Sequence, residues 1–438
     1  MEWYWVVSIM IGTLLALMAA GIPIAFGFFA TNILGTYLFM GGHVGIVQMI
    51  SNMAISVSSF ALVPVPLFLL MGSLFFRSGL ASRVLDALDM CFGAIPGRLS
   101  YVTVTSGTIF AALSGSSMAN TGMMGTLMVP EMIRRGYKKH MALGPILGSG
   151  GLAVIIPPSG LAVLLGSLAQ IDIGALLIAG AIPGVTLALM YFVLIYLQVK
   201  IDPAAAPRYD VEPIPFLPKL RAVSINVVPM GLIIVLVIGS ILGGVATPTE
   251  SAALGAVGVL VLMVAYRVLR WETIMKSLDD AFRVTAMSFL LIMASTNFSQ
   301  IMAFSGASSG LVTWATSFEL SPTALLLIMI GLLLLLGMFM DQLSMMLLTL
   351  PVFLPLAHSL GFDLIWFGII LLLALEVGFT TPPFGLLLFV MVGVAPKGTT
   401  LLQVSAAALP YVGCTLLLIA LIMAFPQIAL FLPSLMVR

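Results

Sequence analysis

Long apolar runs separated by short polar joints succeed one another along the whole chain. A membrane-spanning helix needs about 20 predominantly apolar residues. Runs that meet or approach this are Trp5 to Ala20, Pro23 to Met40, Ser56 to Phe76, Met141 to Gln170 and Ile173 to Val199 in the first half. The second half supplies Ala222 to Gly243, Ser251 to Tyr266, Thr285 to Phe304, Leu364 to Val394 and Leu401 to Leu430. The pattern predicts an all-α polytopic membrane protein with about ten transmembrane helices. Met1 to Ala20 has no basic start and no small-residue cleavage site, so it reads as a first span rather than a signal peptide, with Trp3, Tyr4 and Trp5 as an interfacial anchor.

The pattern is written twice. At a shift of about 225 residues, Ile156-Pro157-Pro158-Ser159-Gly160 answers to Thr381-Pro382-Pro383-Phe384-Gly385, and Met128-Val129-Pro130 to Phe353-Leu354-Pro355. Residues 1–200 form a first repeat, 201–221 a linker rich in proline and charge, and 222–438 a second repeat. Five spans per half is an odd number, which requires the two copies to be inverted relative to each other. Lys/Arg loading, which favours the cytoplasmic side, agrees. Arg77 to Arg98 carries three arginines and its counterpart Ser305 to Pro322 none. Arg134-Arg135-Gly136-Tyr137-Lys138-Lys139 is basic where His358 to Asp363 is not, and Gly41 to Asn52 lacks the basic residues that its counterpart carries at Arg267, Arg270, Lys276 and Arg283. Both termini are thereby outside and the linker cytoplasmic.

Two further apolar segments begin and end on the same side and read as re-entrant hairpins, at 100–135 and 323–360. Their tips are the small polar run from Ala112 to Thr121 and the stretch from Gly337 to Ser344. Each hairpin precedes a span, 141–170 or 364–394, interrupted by Pro-Pro and Gly, which remove backbone donors and permit unusual dihedrals. Non-helical backbone at membrane depth survives only where it is buried or lines a cavity. Paired broken helices are also how transporters present helix N-termini to anions and free carbonyls to Na⁺. Packing offers a plainer account of each motif alone, since Gly148, Gly150 and Gly151 permit close helix approach and Pro-Pro makes a kink. The whole unit occurring twice favours a functional site. Asp341 at the second tip and Glu376 before the second break are the two acidic residues placed deep in the membrane, where a charge is costly. Asp341 reads as a cation-binding group or a helix cap, and Glu376 as functional or as a protonated structural acid.

Composition narrows the function. Of 438 residues, 61% are hydrophobic and 8% charged, which leaves no room for a sizeable soluble domain. A net charge of +1 provides no basic surface for nucleic acid. His43, His140 and His358 are scattered without metal-ligand spacing, and Cys91 and Cys414 read as packing residues. No nucleophile or metal pair suggests an enzyme.

Ser114-Gly115-Ser116-Ser117, Pro157-Pro158-Ser159-Gly160, Gly337-Met338-Phe339-Met340-Asp341 and Thr381-Pro382-Pro383-Phe384-Gly385 together resemble the large membrane subunit of tripartite ATP-independent periplasmic (TRAP) transporters, over essentially the full chain. The resemblance implies a sodium-coupled importer of an organic acid in a bacterial or archaeal cytoplasmic membrane. It implies an elevator motion of a transport domain against a scaffold, a small four-helix membrane subunit as partner, and a periplasmic binding protein that delivers the carboxylate substrate. One sodium site would lie near Ser114, Ser116, Gly151, Ile155 and Pro157, and a second near Gly337, Asp341, Thr380, Thr381 and Pro383. Ser117, Asn120, Ser159, Asn297 and Gln342 are the candidate substrate contacts. Glu376 departs from the neutral polar residue expected there. The other reading is a stand-alone Na⁺/dicarboxylate symporter of related architecture.

Overall fold

A computed structural model describes residues 2–207, 215–383 and 385–436. Phe384 of the second Pro-Pro motif and residues 208–214 of the linker therefore lie outside the described residues. The first half forms α1 (Trp3–Ala19), α2 (Ile24–Phe39), α3 (His43–Val57), α4 (Pro64–Arg77), α5 (Leu80–Phe92), α6 (Arg98–Ser114), α7 (Ser117–Arg134), α8 (Lys139–Ile155), α9 (Gly160–Leu168), α10 (Ile173–Ala179) and α11 (Ala181–Ile201). The second forms α12 (Phe216–Asn226), α13 (Val228–Leu242), α14 (Pro248–Ala265), α15 (Trp271–Phe304), α16 (Ala307–Thr316), α17 (Pro322–Gly337), α18 (Gln342–Ser359), α19 (Leu364–Thr380), α20 (Leu386–Val394), α21 (Leu401–Ala424) and α22 (Gln427–Ser434). No strand occurs among the described residues.

The halves correspond element by element. α7 and α18 each have 18 residues, α8 and α19 each have 17, and both pairs start at the offset of the Pro-Pro motifs. The largest departure is α15, a single helix of 34 residues where the first half has α3 and α4, and α21 likewise runs unbroken where the first half has α10 and α11. The α15 sequence contains no proline or glycine, whereas Pro64 and Pro66 interrupt the hydrogen-bond ladder at the equivalent place.

Among the described residues, seven helices or continuous helix pairs are long and apolar enough to cross a membrane, or eight if α12 and α13, bent by 44°, count as one span. α1, α2 and α19 are shorter apolar helices, so the expected ten spans include three that fall below 18 residues as single helices. Hydropathy also overlooks the amphipathic elements. The joint Arg77 to Arg98 contains α5, which buries Leu80, Val84 and Leu88 and keeps Ser82, Arg83 and Asp86 outward. Likewise Gly41 to Asn52 enters α3, and Ser305 to Pro322 contains α16. The linker is shorter than expected at its end, since α12 starts at Phe216 and packs on α5. Ile173 to Val199 divides at Gly180, where a side chain would meet the Ile155 carbonyl oxygen at 2.0 Å. Pro426 separates α21 from α22.

α8 and α19 occupy the centre. Every residue from Met141 to Ile155 and from Phe367 to Thr380 is buried, as expected of helices that are apolar on all sides. Glycines make this packing possible. Gly144 and Gly148 of α8 accept the ring of Tyr411 from α21, and a methyl group on either would lie 2.5 Å or less from that ring.

Candidate functional site

A helix-turn-helix stands at each of these two segments, α6–α7 and α17–α18, with tips narrower than the small polar runs suggest, and α18 is itself one of the helices long and apolar enough to cross a membrane. At the first tip α6 ends at Ser114, Gly115 takes the left-handed conformation (φ 59°), and Ser116 restarts the chain by accepting the Ala119 amide at 3.4 Å. Gly115 rests on the first break: a methyl group there would lie 3.1 Å from the Gly160 nitrogen and 3.2 Å from the Pro158 oxygen. Ile156 to Pro158 leave the helix, and Ser159 caps α9 by accepting the Ala162 amide. At the second tip Asp341 caps α18, its carboxylate accepting the Leu343 and Ser344 amides at 3.1 and 3.2 Å and the Ser344 hydroxyl. Gly337 lies directly on Gly378 of α19, beside the second break. The Pro157-Pro158 and Pro382-Pro383 peptide bonds are both cis.

The two tips meet at Glu376. Its side chain accepts from Ser117 Oγ at 2.8 Å, from Gln342 Nε2, and weakly from Thr380 Oγ1 at 3.4 Å. One donor comes from each tip and one from the break that follows. The carboxyl group is buried, and a methyl on Gly151 of α8 would approach its Oε1 to 2.7 Å, so both central helices close around it. Two buried oxygens at the first tip, Asn120 Oδ1 and Thr121 Oγ1, have no hydrogen-bond partner among the described residues.

Beside the first tip lies a cavity of about 470 Å³, between α4, the start of α7 and α15. Leu69, Phe76, Met123 and Val284 give it apolar walls, and Ser114 and Ser116 face it from the tip. Arg77 and Arg283 supply positive charge. Arg77 is held by Asp280 through two hydrogen bonds, at 2.5 and 3.0 Å, and Ser73 donates to the same carboxylate at 2.8 Å. Arg283 pairs with Asp279 one helical turn earlier.

The residues singled out in the sequence therefore do not gather at one point. Ser114 and Ser116 border the cavity, while Gly151, Thr380, Ser117 and Gln342 converge on Glu376. Gly337 and Asp341 build the second tip, and Thr381 donates to the Val377 carbonyl at 2.5 Å beside it. Ile155 and Pro157 flank the first break, and Pro383 stands in the second. Ser159 is a helix cap. Asn120 donates to the Gly107 and Ser149 carbonyls at 3.1 Å each, tying the hairpin to α8. Asn297 donates to Met293 of its own helix at 2.8 Å and touches neither tip through that bond. Arg77, Asp280, Arg283 and Tyr411 were absent from the sequence-derived site. Their contacts span more than 200 residues for Arg77 and Asp280, which no local pattern signals.

Comparison with known proteins adds the following. Residues 11–428 match the family model described as the DctM component of the tripartite ATP-independent periplasmic transporter. The C4-dicarboxylate TRAP transporter large permease protein DctM of Pseudomonas aeruginosa is 32% identical over 379 residues, covering 86% of each chain. The ectoine TRAP transporter large permease protein TeaC of Halomonas elongata is 30% identical over 98% of this chain and 100% of its own. In fold, the YdaH transporter of Alcanivorax borkumensis superposes with a TM-score of 0.62 at 15% identity, over 88% of this chain and 90% of that one.

Proposed function

Because the chain belongs to the DctM family of tripartite ATP-independent periplasmic transporter components, we propose that it imports an organic acid coupled to Na⁺, with a small membrane subunit and a periplasmic binding protein that delivers the substrate. The observation that carries this reading is the meeting of both hairpin tips at one buried carboxylate, with the first tip also bordering a cavity lined by guanidinium groups. Oxygen is the ligand that a small hard cation takes, in transporters partly from unwound backbone. The first tip and its break present Ser114, Ser116, Asn120 Oδ1 and Thr121 Oγ1, and the second presents Asp341, Thr380 and Thr381. These donor sets are all oxygen, and two of their buried members have no other partner among the described residues. The sodium gradient would supply the driving force, and the chain would use it by holding its tips in one arrangement when loaded and another when empty.

The cavity suits the cargo. Its volume lies in the range of small-ligand sites, about 300–1,000 Å³. Arg77, held by Asp280, puts a guanidinium on the cavity wall, and the Ser114 and Ser116 side chains line the same cavity. Lys/Arg loading puts the Arg77 end of α4 on the cytoplasmic side, so the cavity as it stands is the release side of an inward-facing state. Alternation would come from an elevator motion in which the hairpins and broken helices, as two inverted repeats, move against the remaining helices. The relatives' named cargoes, a C4-dicarboxylate and ectoine, differ at nearly equal identity, so substrate choice is read from uptake rather than from kinship.

Proteoliposomes holding this chain and its small subunit, with the cognate binding protein outside, are expected to accumulate a radiolabelled organic acid under an inward Na⁺ gradient. Omitting Na⁺ or either partner should abolish uptake. Uptake by this chain alone would instead establish a stand-alone symporter. Within the cavity, Arg77→Gln should raise the half-saturating substrate concentration ~10-fold or more, the loss of one charged contact of about 1.5–3 kcal/mol. An unchanged value would take Arg77 out of the substrate site.

A further inference from the structure

Glu376 sits beside a small pocket formed by Gly148 and Gly151 of α8, Thr380, and the hydroxyl-bearing side chains Tyr191, Tyr411 and Thr415. The pocket has room of about 10 Å³ for the centre of a water-sized sphere, enough for one water or one small ion and nothing larger. Two features point to a cation. Among the described residues, no Lys, Arg or His bonds the carboxylate or lines the pocket, so nothing in the protein balances a charge on Glu376. Tyr411 is 2% exposed, lines the same pocket, and its hydroxyl has no partner among the described residues. Burying such a group without a bond is unfavourable. Tyr191, the other titratable group lining the pocket, has its hydroxyl engaged with Thr415 at 3.2 Å.

The two oxygens of Glu376 face different groups: Oε2 accepts from Ser117 and Gln342, and Oε1 lies beside Thr380 and Gly151, both of which line the pocket. The Thr380 and Tyr411 hydroxyls have lone pairs to offer a cation once their hydrogens rotate away. The polar side chains that line the pocket, Glu376, Thr380, Tyr191, Tyr411 and Thr415, all present oxygen. We propose that Glu376 and Tyr411, with Thr380 beside them, form a monovalent-cation site, occupied by Na⁺, that is separate from the ions held at each tip's own break. The inference rests on the reading of the chain as a sodium-coupled transporter. It adds that Glu376 is a cation ligand, held from its other oxygen by Ser117 of the first tip and Gln342 of the second.

Equilibrium binding of ²²Na⁺ to the purified complex of this chain and its small subunit tests the proposal without transport. Glu376→Gln keeps the shape and the hydrogen-bonding capacity and should lower the number of ions bound by one. Tyr411→Phe should weaken one ion at least fivefold and leave the rest unchanged. Asp341→Ala should remove a different ion, so that the Glu376→Gln/Asp341→Ala double variant loses two. Elution profile and melting temperature measured without Na⁺ verify that each variant is folded. Unchanged stoichiometry and affinity in Glu376→Gln would overturn the proposal and make Glu376 a neutral hydrogen-bonding acid. A double variant that loses only one ion would merge Glu376 into the second tip's site and overturn its separateness. Absence of any ²²Na⁺ binding to the wild type would instead remove the sodium reading on which the proposal rests.

Discussion

Replacing Asp341 by alanine is expected to reduce Na⁺-driven uptake to background, and replacing it by asparagine to show which of its two roles matters. Asp341 stands at the N-cap of α18 with its oxygens on two backbone amides and a serine hydroxyl. Alanine removes both cap and charge. The cap alone is a matter of about 1 kcal/mol, too little to empty a folded membrane protein of activity. Asparagine caps as well as aspartate, so Asp341→Asn should melt near the wild type while losing the charge. If the carboxylate holds a cation, the Na⁺ concentration for half-maximal uptake should rise ~10–100-fold, as loss of a charged contact of about 1.5–3 kcal/mol requires. A wild-type sodium dependence in Asp341→Asn, with a lowered melting temperature in Asp341→Ala, would leave Asp341 a helix cap and nothing more.

The second large effect is expected at a glycine. α17 and α19 touch through their backbones where Gly337 meets Gly378. A methyl group on Gly337 would lie 2.4 Å from both the Gly378 Cα and its carbonyl carbon, and one on Gly378 would lie 2.7 Å from the Leu333 oxygen. Backbone atoms cannot rotate out of the way, so Gly337→Ala must push the hairpin off the broken helix. Overpacking in a tight core costs about 1–3 kcal/mol. Here the displacement falls at the second tip, so it should also disorder Asp341 and the Gln342 contact to Glu376. Uptake should be lost, with a melting temperature lower by ~1–3 °C for such a penalty in a chain of this length. Gly331, two turns earlier on α17, has nothing within 4 Å of its would-be side chain. Gly331→Ala should therefore be neutral, and a loss of stability there comparable to that of Gly337→Ala would show that helix α17 tolerates no substitution, not that the contact is special.

Much of this architecture is legible in the sequence because prolines and glycines mark where helices must stop. The Pro157-Pro158 and Pro382-Pro383 breaks and the hairpin arms come out within a few residues of the helices observed. A polar cluster such as Asp341-Gln342-Leu343-Ser344 reads locally as a helix start, and it is one. Amphipathic helices such as α5 and α16 escape a search for apolar runs because half of each surface is polar. Glu376 is the instructive residue. In sequence it is a lone acid in an apolar span, equally compatible with structure and function. Its donors come from positions 117, 342 and 380, and only folding gathers them. The Arg77–Asp280 pair was invisible for the same reason. Asn297, by contrast, looked available in the sequence and is bonded to its own helix turn.

The complete burial of α8 bears on how the chain is made. A helix that touches lipid on one face can settle in a bilayer as soon as it is synthesised, but α8 has no such face, and much of its covering comes from α19 and α21, both made after the linker. A chain stopped at residue 200 would hold α8 with the groove at Gly144 and Gly148 bare, waiting for a tyrosine not yet translated. The first half is thus an unfinished template rather than a module. A split gene encoding the two halves should yield stable protein only when both are expressed together, and the orphaned first half should be the fragment that quality-control proteases remove.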